Sequence, residues 1–578
     1  MSGENRKVEV FIEPMTRIEG HLAVHAVADR EKGIYVDAHT SGTMFRGFEI
    51  ILKGREPADA IWITQRICGV CPVPHGIASV QAVDMTYNAP PTPFAVVIRN
   101  LIHLSEEMYD PLLGCTILQG PDYSESVVKK LNPKWWDEAQ KRKAERSDLH
   151  GYSTIADIMR ALEPFKGSLW LKGLEISKLA RKMASLLGGK HPHTASFVPG
   201  GVAKTVSASD VEKFIAMLSH HIAFSKELVP AFDDLLDFVS EMGYGDAGAR
   251  EGVYLISYGC YDDPQAYDAN YENMSKWGEV RKVTPGVVID GKLITTDLVE
   301  INLGIREYVS KSYYDMWDKR EVKSDPLGNE VPLEHPWNRE LRPRPGPAKN
   351  WGGRYSWITS PRWEDWRNRV GGGMYVVEAG PIARLWVTSM AGKISESKGG
   401  GMEFTLPTAT LGGFKVSEEH TFEWKIPAKL NSVERLRARA YYYAYSVYVA
   451  LGMVSQALSM IKDGKADVWS RYKRPKEGIG VGMTEAMRGA LAHWCVMRNG
   501  KIWRYQIITP TTWNMSPRGP KNEPGPGEEA IVGTPITEEG PELDGIDVVR
   551  VVRSFDPCLA CSVHLYKGGK VIKEISIT

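Results

Sequence analysis

Four of the seven cysteines in this 578-residue chain form two Cys-x-x-Cys pairs, one near each end. The first lies in Arg66-Ile67-Cys68-Gly69-Val70-Cys71 and the second in Asp556-Pro557-Cys558-Leu559-Ala560-Cys561. Two intervening residues allow a turn that aims both sulfurs the same way, and Gly69 permits a close backbone approach. Four soft thiolates suit zinc, iron–sulfur or another thiophilic metal, and sulfur ligands alone do not choose among them. Structural zinc ribbons separate their pairs by about 15–20 residues, whereas nearly the whole chain lies between these two. That spacing argues against a zinc staple. The other three cysteines, Cys115, Cys260 and Cys495, stand alone in apolar surroundings and read as inert core thiols.

Bringing the two pairs together requires a large core, and the composition supplies one. The chain is 43% hydrophobic and 25% charged, as in soluble globular proteins. Lysine plus arginine and aspartate plus glutamate balance at 71 each, so no global field draws nucleic acid or an anionic membrane. Residues 8–12, 22–27 and 34–36 alternate as strands, with a turn at 28–33, and lead into the first cysteine pair. Residues 94–109 have helical period. Ser209-Asp210-Val211-Glu212 reads as a capping box opening a helix toward Leu228, with Pro230 restarting another to Met242. Residues 432–462 form a second long helix. Its stretch 441–461 approaches the roughly 20 apolar residues of a membrane span, but Tyr, Ser and Gln interrupt it and it reads as a buried core helix. Residues 324–373 are rich in Pro, Gly and Trp without a clear period, a pattern that points to function or to packing of a partner.

These patterns predict an α+β fold, predominantly a helical core (a bundle of long helices) with small antiparallel or mixed sheets at the periphery. The expected segments are an N-terminal sheet with the first cysteine pair (1–90), a helical part (91–320), the irregular segment (321–375), a helical core with the second cysteine pair (376–564) and a tail (565–578). Residues 1–8 lack the apolar core of a secretory signal, so a cytoplasmic location is expected, with any membrane association through partners.

The flanks of both pairs resemble the nickel–iron hydrogenase large subunit. Between them, in order, stand Thr16-Arg17-Ile18-Glu19-Gly20-His21, Phe45-Arg46-Gly47-Phe48-Glu49, Gly188-Gly189-Lys190-His191-Pro192-His193, Glu378-Ala379-Gly380-Pro381-Ile382-Ala383-Arg384, Arg488-Gly489-Ala490-Leu491 and Pro510-Thr511-Thr512-Trp513-Asn514. Each block is similar to a family signature, and together they span nearly the whole chain.

The resemblance implies reversible heterolytic cleavage of dihydrogen, in the direction of hydrogen uptake, at nickel bridged to an iron carrying carbon monoxide and cyanide. By position, Cys68 and Cys558 are implied as terminal nickel ligands, and Cys71 and Cys561 as the thiolates bridging nickel and iron. Cys558 is implied as the base that takes the proton and Glu19 as the first carboxylate of its exit, although Glu19 could instead pair with Arg17. Arg488 is implied over the metals, held by Asp110 and Asp556, and Thr511 as donor to a cyanide. Glu49, the backbone near Ile507 and His564 are implied magnesium ligands, with the histidine unusual for so hard a cation. His75 matches a histidine near the electron exit, a position a structural histidine fills equally well.

Departures from the family pattern are Met487 in place of proline, Pro72-Val73-Pro74 after Cys71, and Pro111 and Gly114 in place of histidines. With the chain length they suggest the actinobacterial-type, high-affinity uptake branch. No further cysteine cluster could carry iron–sulfur centres, so the resemblance implies an iron–sulfur small subunit, in a dimer of heterodimers or larger. It also implies a maturation protease that cuts after His564. Two alternatives stay open here: a quinone-binding subunit like that of respiratory complex I, and a zinc-stapled protein without enzymatic activity.

Overall fold

A computed structural model describes residues 7–347, 349–411, 414–540 and 542–559. Cys561, His564 and the tail 565–578 lie outside the described residues. The N-terminal sheet is an antiparallel meander of β1 (Lys7–Ile12), β2 (Leu22–Asp29) and β3 (Ile34–Gly42). Val10, Leu22, Val24 and Ala26 face its core, as the alternation predicts. The returning strand runs further than residues 34–36, because distant groups satisfy its polar end. The N–H of Thr40 donates to Glu528 Oε1 at 3.0 Å, and Ser41 Oγ donates to the carbonyl of Tyr355.

Short helix α1 (Phe48–Leu52) precedes the first cysteine pair. Behind that pair, α2 (Pro72–Tyr87), α3 (Pro93–Leu113), α4 (Ser168–Gly188), α5 (Ala208–Val239), α6 (Pro381–Ala391) and α7 (Ser432–Lys462) form the helical core. The expected α+β, mainly helical architecture is the one observed. The capping box of α5 lies two residues earlier than expected. Ser207 Oγ accepts from the N–H of Asp210 at 3.3 Å, and Asp210 Oδ2 accepts from the N–H of Ser207 at 3.0 Å. Pro230 does not restart a helix but sits inside α5. Its lost hydrogen bond is outweighed by burial of Leu228, Val229, Ala231 and Phe232 on either side. By length and composition α7 could cross a membrane. Here it packs against α3, α5 and α6, with Arg435 buried on Glu378 (2.7 Å).

The segment read as helical core at 376–564 also contains a three-stranded antiparallel sheet: β4 (Gly478–Ala486), β5 (Gly489–Arg498) and β6 (Lys501–Ile508). Both faces of β5 are buried, so the polar–apolar alternation that marks a half-exposed strand is missing. Glycines at alternate positions of β4 face α2. A Cβ at Gly480 or Gly482 would stand 2.2 Å from the carbonyl oxygen of Ala82 or 1.8 Å from that of Ala78. This close approach presses the helix that begins at Cys71 onto the sheet that carries Arg488. The irregular segment covers the same sheet, where buried Trp337 donates its indole N–H to the carbonyl of Gly480 at 3.1 Å.

Candidate metal centre

The first cysteine pair is built within its own loop. Cys68 follows the turn Gln65–Ile67, and Cys71 caps α2, whose opening Pro72 has no N–H to satisfy. The N–H groups of Val70 and Cys71 both donate to Cys68 Sγ, at 3.2 Å each, and hydrogen bonds to the charged form favour a thiolate.

Cys558 arrives from the other end of the chain, after helix α9 (Ile546–Ser554) and a left-handed residue at Asp556 (φ 54). Its backbone is pinned to the N-terminal segment. The N–H of Glu19 donates to Pro557 O at 3.3 Å, and that of Leu559 donates to Glu19 O at 2.7 Å. The N–H of Cys558 donates to Thr511 Oγ1 at 2.8 Å, from the short helix α8 (Pro510–Asn514). Cys558 Sγ then lies 3.3 Å from Cys68 Sγ and 3.7 Å from Cys71 Sγ. The three sulfurs fall within 4.8 Å of one another and are all buried. Among the described residues no other group of His, Cys, Asp and Glu gathers three ligand atoms so closely.

Glu19 is half-buried, and its Oε2 accepts from Cys558 Sγ at 3.1 Å. It does not pair with Arg17, which forms an ion pair with Asp122 and donates to Leu118 O at 2.7 Å. Arg488 occupies the two-residue turn of the β4–β5 hairpin, between the paired Ala486 and Gly489. Its Nη1 stands 2.5 Å from Asp110 Oδ2, and its Nη2 stands 3.4 Å from Asp556 Oδ1. One buried cation thus lies between two buried carboxylates. Burial pushes the Asp110 carboxyl up, against the pull of the guanidinium. Arg488 Nε is buried and has no hydrogen-bond partner among the described residues, a donor left available near Cys71 and Cys558. Three buried soft ligands and one unspent donor suit a thiophilic metal that carries acceptor groups.

Glu49 and Ile507 line one cavity of about 10 Å³ together with Glu307 and Gln506, room for about one water-sized body. Glu307 is held by Arg339 at 2.7 Å and accepts from Gln506 Nε2 at 3.0 Å. His75 is buried in a polar chain: its Nδ1 lies 3.0 Å from His493 Nε2, and His493 Nδ1 lies 2.9 Å from the hydroxyl of Tyr505. Burial lowers the His75 pKa to about 4 and that of His493 well below its usual value, so both rings are neutral at physiological pH. Burial likewise pushes the Cys115 and Cys495 thiols up to about 12 and Cys260 well above its usual value, which keeps all three protonated.

Sequence reading missed His493, Tyr505 and a buried ionic group of Glu107, Arg384 and Glu485. A signal for the last was present, since Glu106 and Glu107 are adjacent acids in a helix long enough to lie in the core.

The family described as nickel-dependent hydrogenase matches residues 46–158 and 165–564. The uptake hydrogenase large subunit of Rhodobacter capsulatus is 29% identical, over 97% of this chain and 96% of that protein. The periplasmic [NiFeSe] hydrogenase large subunit of Desulfomicrobium baculatum is 30% identical, over 97% and 95%. Among solved structures, the actinobacterial-type NiFe-hydrogenase from Ralstonia eutropha H16 superposes with a TM-score of 0.93 at 43% identity, covering 96% of this chain and 100% of that one. A [NiFeSe] hydrogenase from Desulfomicrobium baculatum superposes with a TM-score of 0.73 at 28% identity, over 96% and 100%.

Proposed function

The chain belongs to the nickel-dependent hydrogenase family, and from that premise we propose how its own residues serve the reaction. It is the large, catalytic subunit of a nickel–iron hydrogenase, and hydrogen uptake is the direction consistent with its relatives. The observation that carries the residue-level reading is the meeting of Cys68, Cys71 and Cys558 in one buried cluster, with the Glu19 carboxylate 3.1 Å from the last.

Cys68 and Cys558 would hold nickel, and Cys71 with Cys561 would be shared between nickel and an iron bearing carbon monoxide and cyanide. When bound, that centre supplies the heterolytic cleavage of dihydrogen. Cys558 Sγ takes the proton and Glu19 Oε2, already at hydrogen-bond distance, receives it and passes it outward. Arg488 keeps a permanent positive charge over the sulfurs, anchored by Asp110 and Asp556. The Thr511 hydroxyl, whose oxygen accepts from the Cys558 N–H, retains its own proton for a cyanide nitrogen. Glu49, the backbone at Ile507 and His564 would hold magnesium at the small cavity.

The relatives are named large subunits, so a small subunit completes the enzyme. We propose that it carries iron–sulfur clusters, that the assembly is a dimer of heterodimers or larger and cytoplasmic, and that a maturation protease cuts after His564. Elemental analysis and infrared spectroscopy of the purified complex test the reading. Stoichiometric nickel with carbon monoxide and cyanide bands is expected; zinc without nickel would overturn it. Intact mass decides the maturation step, where a fully active subunit ending at Thr578 would refute cleavage.

A further inference from the structure

Arg488 works only if both its backbone and its guanidinium are held. The guanidinium is held by Asp110 on α3. The backbone is the tip of a two-residue hairpin turn between the paired Ala486 and Gly489. At that tip the carbonyl of Met487, the residue before Arg488, accepts from Arg384 Nη2. Arg384 Nη1 in turn donates to Glu107 Oε2 at 3.0 Å, and its Nε lies 3.4 Å from Glu485 Oε2 on β4. Arg384, Glu107 and Glu485 are all fully buried.

Glu107 and Asp110 stand three apart on α3 and therefore share one face of the helix. We propose that Glu107 and Arg384 are positioning residues for Arg488. Through them a single face of α3 grips both ends of Arg488, Asp110 at the head and the Glu107–Arg384 pair at the hairpin tip. The planar fork of Arg384 suits this task, because it reaches the Glu107 carboxylate and the Met487 carbonyl through separate nitrogens, a spread that the single ammonium of lysine lacks. The face of Tyr442 lies 3.9 Å from the Arg384 guanidinium and closes its remaining side. This inference rests on the proposed role of Arg488 over the metals.

The test is Glu107→Gln in the intact complex, with Arg384→Lys as a second variant and each repeated in an Arg488→Lys background. Glutamine keeps the volume but weakens the grip on Arg384. With nickel content unchanged, turnover should fall, by up to about a hundred-fold if the reacting groups move by an ångström. The infrared cyanide bands should shift. In the Arg488→Lys background Glu107→Gln should cost little more, because residues acting through one group are not additive. Unchanged turnover and bands in Glu107→Gln would overturn the inference. So would loss of nickel, or an equal further loss in the Arg488→Lys background, since either marks a general scaffold role. A wild-type complex without cyanide bands would refute the diatomic ligands of the proposed centre instead, and the turnover cycle between Glu107 and Arg488 would still decide this point.

Discussion

In the loop of Cys68 and Cys71 the Cys68 sulfur is oriented by neighbours two and three residues away, the N–H groups of Val70 and Cys71, and Cys71 stands at the N-cap of α2. At Cys558 the partners among the described residues are remote in sequence. Its N–H is satisfied by Thr511, its flanks are tied to Glu19, and Arg488 on a separate hairpin approaches through Asp556. One half of the centre is shaped by its own loop, and the other, among the described residues, is held by partners far away in sequence. Perturbing the far half should therefore harm assembly and proton handling while the loop of Cys68 keeps its shape.

The hardest break is Cys558→Ser. A serine hydroxyl stays protonated where a thiol ionises, and its hard oxygen is a poor ligand for nickel, so hydrogen oxidation should vanish, measured on purified complex with its nickel counted. Retained activity would remove Cys558 from the centre. Next comes Glu19→Gln, which keeps size and hydrogen bonding but carries no proton. Turnover should fall roughly 10²–10⁴-fold, the usual worth of a proton-transfer group. Interconversion of para- and ortho-hydrogen should survive, since it needs no proton exit. Near-normal turnover would retire Glu19 as the relay.

Arg488→Lys keeps the charge and loses the planar fork. A loss of about 10²–10³-fold, the scale of a removed electrostatic donor, is expected with nickel intact; nickel loss would make the arginine a scaffold residue. The smallest effect is that of Thr511→Val. It leaves the buried Cys558 N–H unsatisfied, at a cost of about 1–3 kcal/mol. A lower unfolding midpoint is expected, with faster amide exchange at residues 556–559 and unchanged exchange at 68–71. Equal loosening of both segments would erase the contrast between the two halves.

Legibility followed the same division. Long helices and the first meander could be read because their periods are local: α3 and α7 show helical spacing, and β2 alternates. The interior sheet could not, since β5 is buried on both faces and β4 spends alternate positions on glycines whose purpose is contact with α2. The chain's residue types and signature spacing determined the chemistry: paired thiols at both ends, a carboxylate in the N-terminal block, an arginine before a glycine. Tertiary structure alone decided the pairings. Arg17 takes Asp122 rather than Glu19, Asp110 joins Asp556 around Arg488, and Arg384 links that arginine's turn to Glu107. The physical reason is that a buried charge must be matched wherever the fold brings a partner, and that partner's position is a property of packing rather than of neighbouring sequence.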